Sequence, residues 1–469
     1  MKTKKTAINI IFIVSTVWLV AGLAWSDDSR FSLAPLKEGF NSFKENFNLF
    51  TEKISPDLST FKEHFSLDNR VVYQYRSLGG DSDSDIYEYW NFRGDNFLSG
   101  RLDVYFSGRL NKDLDGTTQS LLSDRFVSVE DIDESWQDQV YQLYANWKDP
   151  QHRFRIKIGR QYVEDVGWVH MDGGFLRLYE KEKISGSIFL GKPVSYYSST
   201  SDDWTAGYSI NVLPWDGNKT RLSYVRYQDE RVSRNDDLAT LDTWQRFGNQ
   251  TRAHGRLSFL DDEFQMAGID VSYIAPDGSY DVYMRLDRWG DPGNQSREYD
   301  ALTGILDNRK QFTLFSIRSS FIVKPWLSIS PGISSRIVDE SDQDNRNRQF
   351  QNYDCTFNIT THDNWDASVS LNYWDVKNSD HFFGLTGEVD YHKSKNWEVT
   401  VGTSYMTYEY HFDITDYSRV LSPDAYTIYT NAKIKLTDSI TLKAELELED
   451  NSYESDNSLR FRTSLITRL

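Results

Sequence analysis

Along residues 440–449, Ile440, Leu442, Ala444, Leu446 and Leu448 alternate with Thr441, Lys443, Glu445, Glu447 and Glu449. Successive side chains of a β-strand point to opposite faces, so this stretch predicts a strand with one apolar and one polar face. The same period runs through 98–110, where Leu98, Gly100, Leu102, Val104, Phe106, Gly108 and Leu110 oppose Ser99, Arg101, Asp103, Tyr105, Ser107 and Arg109. It returns with Tyr141, Leu143, Ala145 and Trp147 on one side, and with Tyr353, Cys355, Phe357 and Ile359 opposing Asp354, Thr356, Asn358 and Thr360. Further copies are WDASVSLNYW, FFGLTGEVDY and NWEVTVGTSY. Many of these runs reach the ~9–11 residues that carry a tilted strand across a bilayer, while a soluble strand usually stops at ~5–6. The prediction is an all-β protein, a transmembrane antiparallel up-and-down β-barrel whose strands show one face to lipid and the other to water.

The connections agree. Short polar or Pro/Gly turns are expected at 149–152, 214–218, 260–263, 276–278, 325, 362–364, 393–396 and 437–439, with longer loops at 111–137, 230–241, 290–309 and 410–422. Nine of the ten prolines fall in tails or turns, where a missing amide breaks no ladder, and Pro331 alone lies inside a strand-like run, as at a bulge. Counting runs from residue 67 leads to about 20 strands, in the range ~18–22, because a bacterial barrel needs an even number. The doubtful stretch is 230–310.

Both ends add information. Residues 1–26 carry Lys2, Lys4 and Lys5, an apolar core and a small-x-small end, Ala24-Trp25-Ser26, which reads as a secretory signal peptide cleaved before Asp27. At the other end, Leu459, Phe461, Thr463, Leu465, Thr467 and Leu469 share one face, similar to the closing strand that the barrel-assembly machinery reads, with Leu in place of the usual terminal aromatic. Between the signal and the barrel of 67–469, segment 27–66 repeats LKEGF, FKENF and FKEHF. Phe40, Phe43, Phe47 and Phe50 recur at helical spacing until Pro56, predicting a short amphipathic helical periplasmic segment whose aromatic stripe offers a contact for a periplasmic partner.

Composition narrows the function. Mean hydropathy is −0.61, and cleaving three lysines with the signal takes the formal charge from −18 to −21, which excludes nucleic acid as a partner. One cysteine excludes an internal disulfide, and 15% aromatic content suits the interfacial girdles of an outer-membrane barrel. The eight histidines show no metal-ligand spacing, and no nucleophile elbow, phosphate loop or haem-attachment motif occurs. His170, beside Asp165 and Asp172, is the least unsuited to catalysis. The sequence thus points to no enzyme, cofactor or metal.

The candidate chemistry lies on the polar faces. Strand 153–158 sends Arg153, Arg155 and Lys157 to one side, which makes a basic ladder in the lumen if Phe154, Ile156 and Ile158 meet lipid. Arg177 extends it, Arg101 and Asp103 belong to the same wall, and Glu445 and Glu447 form an acidic patch elsewhere. Opposed charges of this kind set a transverse field across a channel.

Around the ladder, Gly159-Arg160-Gln161, Asp172-Gly173 and Gly191-Lys192-Pro193 resemble the porin-like channels related to alginate-export proteins. The resemblance covers about 40 residues and implies a passive channel of about 18 strands in which inward Arg and Lys guide anionic solutes. Arg160 and the 153–157 ladder are the positions that match. The expectation is a Gram-negative outer-membrane porin, a passive water-filled channel for small hydrophilic or anionic solutes, embedded in outer-membrane lipid. An exporter of anionic polysaccharide, and a sheath for an electron-transfer cytochrome complex, are the alternatives.

Overall fold

The computed structural model describes residues 64–78, 81–114, 137–151, 153–166, 169–179, 183–194, 203–229, 234–290, 311–338, 349–361, 364–376, 380–394, 396–414, 417–421, 424–452 and 457–468. The signal peptide and nearly all of segment 27–66, with its expected helices, lie outside these residues.

Among the described residues the chain is a succession of antiparallel strands: β1 Phe65–Leu78, β2 Asp81–Asn96, β3 Leu102–Asp113, β4 Gln137–Lys148, β5 Phe154–Tyr162, β6 His170–Leu178, β7 Ile184–Pro193 and β8 Trp204–Val212. There follow β9 Asn218–Asp229, β10 Arg234–Phe247, β11 Thr251–Leu260, β12 Glu263–Ile274, β13 Tyr280–Trp289, β14 Phe312–Lys324, β15 Leu327–Val338 and β16 Phe350–Thr360. The last are β17 Trp365–Val376, β18 Asp380–Ser394, β19 Trp397–Ile414, β20 Tyr417–Leu421, β21 Asp424–Lys435, β22 Ile440–Asn451 and β23 Ser458–Arg468. Each pairs with its sequence neighbour, and β23 returns to pair with β1 from Asp68↔Arg468 to Leu78↔Ser458, so the sheet closes. The short β20 pairs only with the upper end of β19, leaving a wall of 22 strands.

The wall therefore has 22 strands where the sequence suggested about 20. One source of the shortfall is 230–241, expected as a loop. Residues 234–241 are the first half of β10, in register with β9 and β11. Its inward residues Asp236, Leu238, Thr240 and Asp242 mix charge with an apolar side chain, because Leu238 packs on a cluster inside the lumen, and this blurs the alternation. The turn at 261–262 is short as expected, yet it lies at the end of the barrel that carries the long loops. Pro331 makes no bulge. It pairs with Cys355 in an unbroken β15–β16 register, and the β14 side skips the bridges at Ser319 and Ser320 without shifting.

The outward face bears the exposed apolar side chains, among them Leu143, Ile158, Leu190, Ile269, Leu286, Val369, Val401, Ile428 and Leu448. Trp215, Phe247, Trp326 and Trp365, all exposed, stand at or beside the short turns, where an interfacial girdle belongs. Glu88 departs from this pattern. It shares the outward register of Trp90 and Phe92 and accepts a hydrogen bond from Asn69 Nδ2 at 3.1 Å. An even strand number places the start of β1 and the end of β23 at the short-turn end.

Candidate functional site

The inner wall is built by the opposite register. On β5 it holds Arg155, Lys157 and Gln161, and on β6 Met171, Phe175 and Arg177. Between these strands the chain folds back along the wall it has just built. Glu164 ion-pairs with Lys157 and with Arg155, seven and nine residues earlier on β5, and lies 3.4 Å from Arg177. Asp165 goes deeper. It is 3% exposed and accepts from Arg177 Nη2 at 2.5 Å, Ser187 Oγ at 2.5 Å and Ser209 Oγ at 2.9 Å, which carries it across β6 to β7 and β8.

An apolar cluster lies beneath this polar latch. Lys157, Phe175, Phe189, Gly207, Val225, Leu238 and Leu260 are successive register partners across seven strands. Val163, Val166, Val169 and Met171 join the buried residues of that row. A Cβ on Gly207 would sit 2.5 Å from the Phe189 ring, so glycine there is what lets the ring lie against the wall. Such a patch on an otherwise polar inner wall is stable because the returning segment covers it. Burying each large apolar side chain contributes roughly 1.5–3 kcal/mol. Burial alone would raise the Glu164 carboxyl, but the hydrogen bond and charge of Lys157, with those of Arg155, outweigh it and hold the group below the usual glutamate range.

The other expected lining residues divide. Asp103 faces inward in the same row as Asn146 and Lys157, accepting from Asn146 Nδ2 at 3.1 Å and from Lys148. Glu445 and Glu447 also face inward, 3.9 Å from Arg462 and 3.2 Å from Arg460 on β23, so the acidic patch is matched rung by rung by basic partners. Arg153 lies in the turn before β5 and is held by Asp149 at 2.9 Å, and Arg101 stands exposed in the turn before β3. Arg160 takes the outward register with Leu143 and Ile158, where its Nη2 and Nε donate to the two Asp172 carboxylate oxygens at 2.7 and 2.8 Å. His170 stacks on Tyr162 with ring centroids 4.2 Å apart, and its Nε2 contacts the Tyr141 carbonyl at 2.6 Å. His170, Asp165 and Asp172 thus serve three separate contacts and form no catalytic set.

Three inner-wall features had no clear sequence signal. At the long-loop end Asp83, Asp85 and Asp113 converge, all buried, with Arg76 paired to Asp83 and 3.3 Å from Asp85. Lower down, buried Asp242 accepts from Arg221, Arg256 and the His254 ring. Below the long loops, Phe350, Trp374, Phe382 and Tyr408 run across β16 to β19 on the inner face, with neighbouring ring centroids 4.6 and 5.8 Å apart within the first and last pairs. The returning segment did leave a trace. Val163, Val166 and Val169 are apolar at every third position of a short connection, and such a connection buries itself.

No family model and no curated protein matches the chain. Solved structures do. The translocation pore of the P pilus usher PapC aligns with TM-score 0.51 at 7% identity, over 86% of this chain and 99% of its own. OpdK of Pseudomonas aeruginosa, crystallised with vanillate, aligns at TM-score 0.41 and 10% identity, over 87% and 99%. A BenF-like porin from Pseudomonas fluorescens Pf-5 aligns at 0.45 and 10%, over 87% and 98%. The fold is a closed antiparallel β-barrel, a wall the usher pore shares. At these identities the likeness concerns the fold, and the chemistry of the lumen has to be read from this chain's own side chains.

Proposed function

We propose that the protein is a passive, water-filled channel for small hydrophilic solutes, anions among them. The observation that carries this reading is a closed wall whose inward register is polar over most of its circumference, with a segment latched along its inner side at Glu164 and Asp165. A channel of this kind needs only a polar path, and discrimination follows from where fixed charge faces the water. The polysaccharide-exporter reading calls for a continuous Arg/Lys track from mouth to mouth. The capping of Arg155, Lys157 and Arg177 by Glu164 and Asp165 weighs against it.

The same reading assigns 1–26 to export, 27–66 to the periplasm as a contact for a partner there, and insertion to the barrel-assembly machinery. Single-channel recording of the refolded mature protein in planar bilayers tests the function. Steady ohmic openings are expected, with liposome swelling in small neutral sugars. A barrel that seals the membrane would sink the proposal.

A further inference from the structure

Most inward cations of the described wall are spoken for. Arg155, Lys157 and Arg177 hold the latch, while Arg221 and Arg256 hold Asp242. Lys219, Arg246 and Arg252 differ: they are exposed, face inward on β9, β10 and β11, and make no ion pair with a described carboxylate. All three lie within two residues of a short turn, at the mouth opposite the long loops.

Their arrangement runs against stability. Arg246 and Arg252 are direct cross-strand partners, and like charges placed opposite each other destabilise a sheet. Lys219 sits one strand away, with its ammonium 5.2 Å from the Trp244 ring centroid, and Trp244 is its register partner. The indole is itself fixed, stacked on His254 at 4.8 Å and 3° with the Arg221 guanidinium 5.0 Å from its centroid. A cation over an aromatic face is held without being neutralised, since the ring supplies no counter-charge. The wall thus positions three uncompensated positive charges around a rigid platform, in a chain whose net charge is strongly negative.

We infer that Lys219, Arg246 and Arg252 are the specificity-determining site of the channel, an anion-selecting cluster at the short-turn mouth for small solutes bearing carboxylate or phosphate groups. The inference rests on the channel reading and deepens it. It also relocates selectivity, because the β5–β6 ladder spends its charge on the latch.

The test is the reversal potential of the full mature protein in planar bilayers under a potassium chloride gradient, repeated with potassium phosphate. Wild type is expected to favour the anion. K219Q/R246Q/R252Q is expected to keep its conductance within about twofold while its anion-to-cation permeability ratio falls several-fold, and R246K/R252K is expected to hold the wild-type ratio. Should the triple variant fail to give the heat-resistant folded form, the three single Gln variants carry the test, each expected to show a partial fall in the same direction. A wild-type channel that prefers potassium, or Gln variants that conduct with an unchanged ratio, overturns the inference and leaves the channel intact. The absence of any conductance in wild type would instead remove the reading beneath it.

Discussion

Two pairs of carboxylates face the same lumen and do different work. Glu164 and Asp165 lie on a segment that has left the wall and come back, and five side chains from β5, β6, β7 and β8 converge on them. Glu445 and Glu447 stay on their own strand, and each meets one arginine directly across β23 while both partners remain at least a third exposed. The first arrangement ties a returning segment to the inner wall. The second only balances charge along a wall that the backbone ladder already holds. The number of donors around a carboxylate and its access to water, more than the presence of an ion pair, separate a structural latch from a surface rung.

The sharpest way to break this contrast is at Asp165. Asp165→Ala leaves Arg177 without its closest partner and is expected to cost about 3–5 kcal/mol, as for one member of a buried pair, read as a lower melting temperature in detergent and a larger, noisier conductance. Phe175→Ala, beneath the latch, should cost a similar ~3–5 kcal/mol and give the same electrical signature. Equal conductance in wild type and both variants would show that the returning segment does not narrow the pore.

Leu371→Arg on the lipid face of β17 is next, at about 2–4 kcal/mol, measured by urea unfolding from vesicles. A neutral outcome there would reverse the assignment of the two faces. Acid should then act on Glu164. Its folded-state value is depressed, so the ionised latch stabilises fully above the ordinary glutamate range and is lost as pH falls through the lower folded value. Single-channel noise is expected to rise once the pH falls below the ordinary glutamate range, and E164Q should show the noise already at neutral pH. The smallest effect belongs to Glu447→Gln, where a change of about 0–1 kcal/mol leaves the melting temperature nearly unmoved.

The sequence disclosed the wall better than its contents. The two faces of β3 and of β22 can be read from alternation alone, because backbone geometry makes inside and outside strictly periodic. The same alternation puts Asp103, Arg155, Lys157, Arg177, Glu445 and Glu447 on the inward face. Arg160 follows the opposite parity, and the motif that singled it out carries no information about facing. The partners of the inward charges were not legible. Asp165 meets Ser209 across 44 residues, a contact fixed by where the segment returns and not by any local spacing. The first half of β10 was lost for a related reason, since the apolar cluster in the lumen places a leucine where the alternation calls for a polar residue.

The pairing of β1 with β23 has a consequence for assembly. Asp68 and Arg468 stand 3.3 Å apart although 400 positions separate them, and they belong to the ladder that closes the ring. Until β23 is in place the nascent sheet has two open edges, each a row of unpaired amides and carbonyls able to capture any other strand. A closed ring has no spare part. Deleting a strand, even the last, leaves the survivors to re-register around a smaller circumference or to remain open in a solvent that cannot satisfy their edges.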